Sequence, residues 1–366
     1  MTLHVALVSS YPMPGAEPVG GVEVSSVRLA AALADAGAQV SVVAPGATSR
    51  SDHGAVRTIH VEADGRLSLL RALRPWRAAV DGALAELGPD LVHGQGLLTG
   101  GLAATDFRGG PRVVTAHGSH AMDTRAARRG PAVEARIALA GRLTRLAVSR
   151  ADAVVSVHPT ASMNVPGRPR RFTYIPNIVD DVFFGLSETR RVPGRVVYCG
   201  GDRAIKGIDL LAEAWPLVAA AVAGATLELV GWPENVPLPD ALHGATVSGW
   251  LDASELRDAF ARAAAVVIPS RFEVAPVTLY EAWSARVPVV ATCAGGIPGL
   301  AEGAATLVEV DARAIADGLI AVIGGAEREP GSQVDTFVTE GSDRSAAAAA
   351  RAVAAAHLEL YGQLLG

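Results

Sequence analysis

Short apolar runs alternate along this chain with longer stretches in which apolar residues recur at helical spacing. HVALVSS (4–10) is the first such run and predicts a buried strand. A loop rich in Pro and Gly follows from Tyr11 to Gly21, and VEVSSVRLAAALADAG then predicts a helix that stops at Gly37. QVSVVAP (39–45) predicts the next strand. This β-loop-α-β order signals a parallel, doubly wound sheet. The pattern recurs in PDLVHGQG (89–96), PRVVTAHGSH (111–120), ADAVVSVHP (151–159) and FTYIPNIV (172–179).

The pattern then restarts. RVVYCGG (195–201), ATLELVG (225–231), ATVSGWL (245–251), AAVVIPS (264–270), VPVVATC (287–293) and ATLVEV (305–310) predict a second set of strands. GIDLLAEAW predicts a helix, and so does ASELRDAFARA (253–263), with Ser254 as its N-cap. Two α/β domains are therefore expected, over 1–182 and 183–344, with the linker near Asp180–Pro193. Residues 331–345 are polar and read as loop. The alanine-rich segment in 345–366 predicts a closing helix with Leu358, Tyr361 and Leu364 on its packing face.

Composition narrows this picture. At roughly 150 residues per domain, 366 residues suit two. A 50% hydrophobic, 19% charged chain excludes global disorder. No apolar run approaches the ~18 residues of a membrane span. The N-terminus lacks the charged and small-residue features of a secretion signal, so a cytoplasmic location is expected. Cys199 and Cys293 are too few for a disulfide framework or a four-cysteine zinc site and read as small buried apolar residues. The net charge of −5 hides an asymmetry. Residues 1–185 hold 19 Arg against 15 acids, and the remainder holds 13 cations against 22 acids. Arginine outnumbers lysine 31 to 1, as in GC-rich bacterial sequences, and Lys206 is the one lysine. Seven arginines fall in Arg125–Arg150 with one acid, Glu134, a stretch open to three readings: an anionic membrane surface, an anionic acceptor, or a solvated face. No nucleic-acid motif accompanies it.

Two segments carry chemistry in their own right. CGGDRAIKGIDLL follows a strand and opens a helix, so free N–H groups and the helix dipole favour an anion there, with Arg203 and Lys206 adding charge. Glu273 and Glu281 are eight residues apart in PSRFEVAPVTLYEAW. Pro276 argues against one continuous helix and for a loop bearing Glu273 followed by a helix from Pro276–Val277 bearing Glu281. That helix start, with Val277 and Thr278, suits a diphosphate.

With the Gly20-Gly21 loop, VVTAHGSH and YIPNIVDDVF, these segments resemble the GT-B glycosyltransferases, in particular the large retaining family four that includes sucrose synthase and mannosyltransferases. The resemblance spans residues 1–330. It implies two Rossmann-like domains facing a deep cleft, the closing helix packing back on the first, and a nucleotide-sugar donor with a hydroxyl acceptor. It also implies roles. Arg203 and Lys206 would stabilise the departing diphosphate, Glu273 would lie by the donor sugar, and Glu281 would bind the ribose hydroxyls. His117 would lie beside the donor sugar, with His120 as a competitor. Gly20 and Gly21 would approach the donor, Leu251 would line the donor site, and Glu23 would touch the acceptor.

Three departures from the family pattern stand out. Gly201 occupies the usual arginine position, Pro276 stands where a Gly is commoner, and Ile178 replaces a Gly. No Asp-x-Asp occurs, so neither metal nor cofactor is expected. A nucleotide-sugar 2-epimerase of the same fold and a non-catalytic nucleotide-sugar binder remain as alternatives. A dehydrogenase does not fit, because SSYPMPGAEPVGG lacks the G-x-G-x-x-G turn.

Overall fold

The structure is a computed structural model that describes residues 2–62, 69–118, 124–125, 130–160, 164–186, 190–301, 303–324 and 346–366. His120, Arg128, Arg129 and the expected loop 331–345 lie outside the described residues. The chain divides into two compact units. The first runs to Ile178, with Arg125 alone of its described residues assigned elsewhere, and takes in Ala350–Gly366; the second begins at Val179.

In the first unit the strands are β1 (His4–Val8), β2 (Gln39–Pro45), β3 (Ser49–His53), β4 (Val56–Val61), β5 (Leu91–Gln95), β6 (Arg112–Ala116), β7 (Ala153–Ser156) and β8 (Phe172–Tyr174). They form one sheet in the order β3-β4-β2-β1-β5-β6-β7-β8. Every neighbouring pair is parallel except the β3–β4 hairpin. Sequence patterning missed that hairpin because SRSDH carries no apolar alternation and sits at the sheet edge. The stretch 172–179 is a strand only as far as Tyr174. Pro176 brings no N–H to a ladder and restricts Ile175 before it.

In the second unit β9 (Arg195–Cys199), β10 (Thr226–Val230), β11 (Thr246–Ser248), β12 (Ala265–Ile268), β13 (Val289–Thr292) and β14 (Thr306–Val308) form an all-parallel sheet ordered β11-β10-β9-β12-β13-β14. Counted from β9, this is the doubly wound order 3-2-1-4-5-6, whose direction reverses between β9 and β12. The strands β12 and β13 are buried along their whole length, which is why they read as unbroken apolar runs.

Two expectations need correction. The helix Ala253–Arg262 is capped by Asp252, not Ser254. Asp252 accepts from the Glu255 N–H at 2.8 Å and the Glu255 side chain accepts from the Asp252 N–H at 2.9 Å, a reciprocal pair that Ser254, already inside the helix, has no position to make. Cys293, just past the end of β13, is exposed, and Cys199, the last residue of β9, is half-buried as a residue although its thiol is enclosed. The closing helix, Ala346–Leu365, packs through Val353, Ala354, His357, Leu360 and Tyr361, with Leu358 and Leu364 half-buried at the margin.

That helix joins the first unit through a polar cluster as well as apolar contacts. His93 is fully buried on β5, with Nδ1 2.6 Å from the Tyr361 hydroxyl and Nε2 2.6 Å from Thr115 Oγ1. Its ring lies 5.6 Å from that of His357. Burial holds His357 and His117 down to about 4 and His93 well below its ordinary value. The unfolded chain therefore binds protons that the fold refuses. The stabilisation is complete above about pH 6.5 and is lost as pH falls from there towards 4. The melting temperature should rise with pH across that window, and ¹⁵N-histidine NMR should show these rings neutral at pH 6. A melting temperature flat between pH 4 and 6.5 contradicts the assignment.

Candidate active site

The carboxyl ends of β9 and β12 flank the point where the second sheet reverses its winding, the place where open α/β sheets bind ligands. The loop after β9 makes one tight turn, Ala204–Lys206, and enters the helix Ile208–Ala221 through Gly207. The loop after β12 carries Ser270, Arg271 and Glu273 and enters the helix Val277–Ser284, whose N-cap Pro276 makes no side-chain cap.

The two loops are stitched together. Lys206 Nζ lies 2.5 Å from Glu273 Oε1, and Ser270 Oγ donates to the same oxygen at 3.1 Å. The Arg271 N–H donates to the Ile205 carbonyl at 2.8 Å. The Arg271 guanidinium grips both oxygens of Asp209 at 2.6 Å and the Ala204 carbonyl at 2.9 Å. Behind Glu273, its carbonyl accepts from the Gly296 N–H at 2.7 Å. A Cβ on Gly295 would fall 2.1 Å from that carbonyl, so the GGIPGL segment serves as the backing of Glu273. Both charged partners stay accessible, at 25% of the Lys206 and 14% of the Glu273 side chain.

Other candidates take separate places in this unit. Arg203 is exposed at the start of the tight turn. Glu281 is buried on the helix Val277–Ser284, close enough to Cys199 that it helps burial to push that thiol up. Val277 and Thr278 open the same helix. Leu251 is half-buried, just beyond the carboxyl end of β11. Gly201 has φ 60°, and a Cβ there would lie 2.8 Å from the Gly231 carbonyl, so an arginine at this position would be strained and would require the backbone to shift.

In the first unit the corresponding edge holds Gly20, Gly21, Glu23 and His117. Gly20 has φ 87° and caps the helix Gly21–Asp35. Glu23 Oε2 accepts from the Val19 N–H at 2.6 Å, so its carboxylate closes the glycine loop locally. His117 follows β6 and is half-buried, with Nε2 2.7 Å from Gln95 Oε1 at the end of β5.

Comparison with known protein families gives two matches. Residues 19–183 match the family described as Glycosyltransferase Family 4, and residues 193–324 match Glycosyl transferases group 1. The chain belongs to the family 4, group 1 glycosyltransferases. Among solved structures, this glycosyltransferase is similar to sucrose-phosphate synthase from Thermosynechococcus elongatus, with 21% identity, a TM-score of 0.76 and 99% of each chain covered. It is also similar to Anabaena HepE in complex with UDP, with 18% identity, a TM-score of 0.60 and 99% and 98% of the two chains covered. A third similar structure is a UDP-N-acetylglucosamine 2-epimerase from Listeria monocytogenes, with 14% identity, a TM-score of 0.59 and 99% and 98% covered. These likenesses establish the GT-B fold, two parallel-sheet α/β domains, and do not by themselves separate transferase from epimerase. A search of curated proteins finds no significant match.

Three features of this glycosyltransferase escaped sequence reasoning. Glu228 is a buried acid on β10, held by Arg195 at 2.7 Å and Ser248 at 2.9 Å across three adjacent strands. The only signal for it was a charge inside an apolar strand. Trp250 is 58% exposed beside Leu251, its ring 3.7 Å from where a Cβ on Gly231 would sit. Gln95 ends β5 against His117, and its place in LVHGQG gave no hint of that partner.

Proposed function

We propose that this chain transfers a sugar from a nucleotide-sugar donor to an acceptor hydroxyl with retention of anomeric configuration, on the front face of the donor and without a metal. The observation that carries the reading is the Lys206–Glu273 pair, built from the chain's one lysine at the reversal point of the second sheet and flanked by two helix starts. Lys206 and Arg203 neutralise the leaving diphosphate, and the N–H groups at Val277 and Thr278 supplement them. Pro276 removes one N–H from that set. Lys206 also holds the Glu273 carboxylate in place for a sugar hydroxyl. Glu281 takes the ribose hydroxyls through charge-assisted hydrogen bonds. His117 serves the donor sugar.

In the reaction the acceptor oxygen attacks the anomeric carbon from the side of the leaving group. The bond from that carbon to the phosphate oxygen breaks with its electron pair, and the phosphate oxygen takes the acceptor proton. No side chain has to act as a base from the opposite face, and the protein contributes orientation and electrostatics. Arg142 and Arg145, exposed one turn apart on the helix Pro131–Arg150, are the part of the Arg125–Arg150 stretch we assign to an anionic acceptor group or lipid surface. Among the described residues no helix is long and apolar enough to cross a membrane.

An α-linked donor should give an α-glycoside, at full rate in excess EDTA. A β-configured product by NMR, or activity abolished by EDTA and restored by Mg²⁺ or Mn²⁺, overturns the reading. The two glutamates should also separate in calorimetry. Glu281→Gln should weaken free nucleoside diphosphate and intact donor alike, whereas Glu273→Gln should spare the nucleoside diphosphate and weaken only the intact donor. Equal effects of both variants on both ligands contradict this division.

A further inference from the structure

Gln95 is 2% exposed at the end of β5, and its amide faces two ways. Oε1 meets His117 Nε2 at 2.7 Å, while Nε2 is buried with no hydrogen-bond partner among the described residues. An amide oxygen only accepts, so His117 must donate from Nε2. Burial, aided by His357, keeps the His117 ring neutral at ordinary pH, which leaves Nδ1 as a lone-pair acceptor.

The unpartnered amide N–H has a counterpart. Gln95, Thr115, His117, Asn177 and His357 line a small cavity of about 20 Å³, enough for one water. The His357 Nδ1–H donates to the Val353 carbonyl at 2.9 Å, so in the neutral ring Nε2 is an acceptor. A water in this space would accept from Gln95 Nε2–H and could donate to His357 Nε2. A buried amide donor left bare is costly, and a polar cavity of this size beside it supplies the partner. Among the described residues, the titratable groups beside the His117–Gln95 pair are His357 and His93, the latter bonded to Tyr361, and no charged side chain lines the cavity.

We propose that Gln95, backed through one bound water by His357 of the closing helix, is a positioning residue that holds His117 as its Nε2–H tautomer and presents Nδ1 as an acceptor for a donor hydroxyl. The kinetic part rests on the reading that His117 serves the donor sugar; the tautomer part does not. Had the amide been reversed, Nδ1 would carry the proton and could only donate.

Nitrogen-15 NMR of histidine-labelled full-length protein at pH 7 reads the tautomer directly. Wild type should show His117 protonated on Nε2 and bare on Nδ1. Gln95→Leu should abolish that preference and lower kcat/KM for the donor about tenfold, the worth of roughly one hydrogen bond. Gln95→Glu should keep the tautomer and, by placing a carboxylate on Nε2–H, raise the His117 titration from about 4 towards neutrality, moving the acid limb of the pH–rate profile upward with it. An Nδ1–H tautomer in wild type, or Gln95→Leu with an unchanged tautomer, overturns the proposal. If Gln95→Leu does not fold, the titration of His117 in Gln95→Glu decides, an unshifted ring counting against. If His117→Ala turns over at the wild-type rate, the sugar-binding reading of His117 fails while the tautomer measurement still judges Gln95.

Discussion

Lys206→Ala is expected to lower turnover at saturating donor by about 10²-fold or more while the fold survives, by analogy with removal of one donor to a developing negative charge. The charge lost is the cation next to the reversal point of the second sheet. Arg203 is exposed three residues earlier, and Gly201 has no side chain with which to substitute. Losing the ammonium also removes a partner of Glu273, which keeps the Ser270 hydroxyl at 3.1 Å. On the proposed reading two functions of one nitrogen would disappear together, neutralising the leaving group and orienting the carboxylate. Single-turnover kinetics with circular dichroism of the variant checks this, and a near wild-type rate would remove the phosphate role from Lys206. Arg203→Ala should cost less, since Arg203 is exposed where Lys206 is half-buried against Glu273.

Gly207→Ala is expected to be the most damaging small substitution in the second unit. Gly207 has φ 72°, and a Cβ there would lie 1.9 Å from the Pro269 carbonyl oxygen. The left-handed conformation alone costs an alanine about 1–2 kcal/mol. The contact adds to this, because the obstacle is backbone just beyond β12, which sheet pairing holds in place. A total of about 3 kcal/mol lowers the melting temperature by roughly 6–12 °C in a unit of this size. Donor affinity should fall too, since any relief moves the Lys206 turn away from the Glu273 loop. Gly207→Asn tolerates the backbone conformation better but carries the same Cβ, so it should remain clearly destabilised. Calorimetry showing both variants within 1 °C of wild type removes the close approach from the account.

Much of the fold was legible because parallel strands buried on both faces must be apolar without alternation. HVALV, AVVI and VVAT are such strands, and each is followed by a loop whose Gly or polar residues mark the carboxyl edge. The helix starting after Pro276 was legible for a related reason, since a proline costs least at a helix entrance, although Pro216 inside the helix Ile208–Ala221 shows that an interior proline can be accommodated. The hairpin Ser49–His53 with Val56–Val61 was not legible. An edge strand made of SRSDH is stabilised by its ladder to β4, a partner that periodicity does not reveal. The true cap of Ala253–Arg262 was missed because Ser254, two residues beyond Asp252, is also a good capping residue, and only the phase of the helix shows that it lies inside.

The sequence by itself determined the class of molecule and the identity of its polar anchors. One lysine among 31 arginines, two glutamates eight residues apart, and a histidine after an apolar run were all visible in order along the chain. Tertiary structure alone decided which of them meet. Lys206 and Glu273 are 67 residues apart and come within 2.5 Å because β9 and β12 are neighbours in a sheet whose winding reverses between them. Gln95 and His117, and His93 and Tyr361, meet for the same kind of reason, across adjacent strands and through the return of the last helix. Local composition dictates what a segment becomes, since burial and backbone preference act over a few residues. Which charged groups share a site depends on strand order, a property of the whole sheet that no short segment encodes.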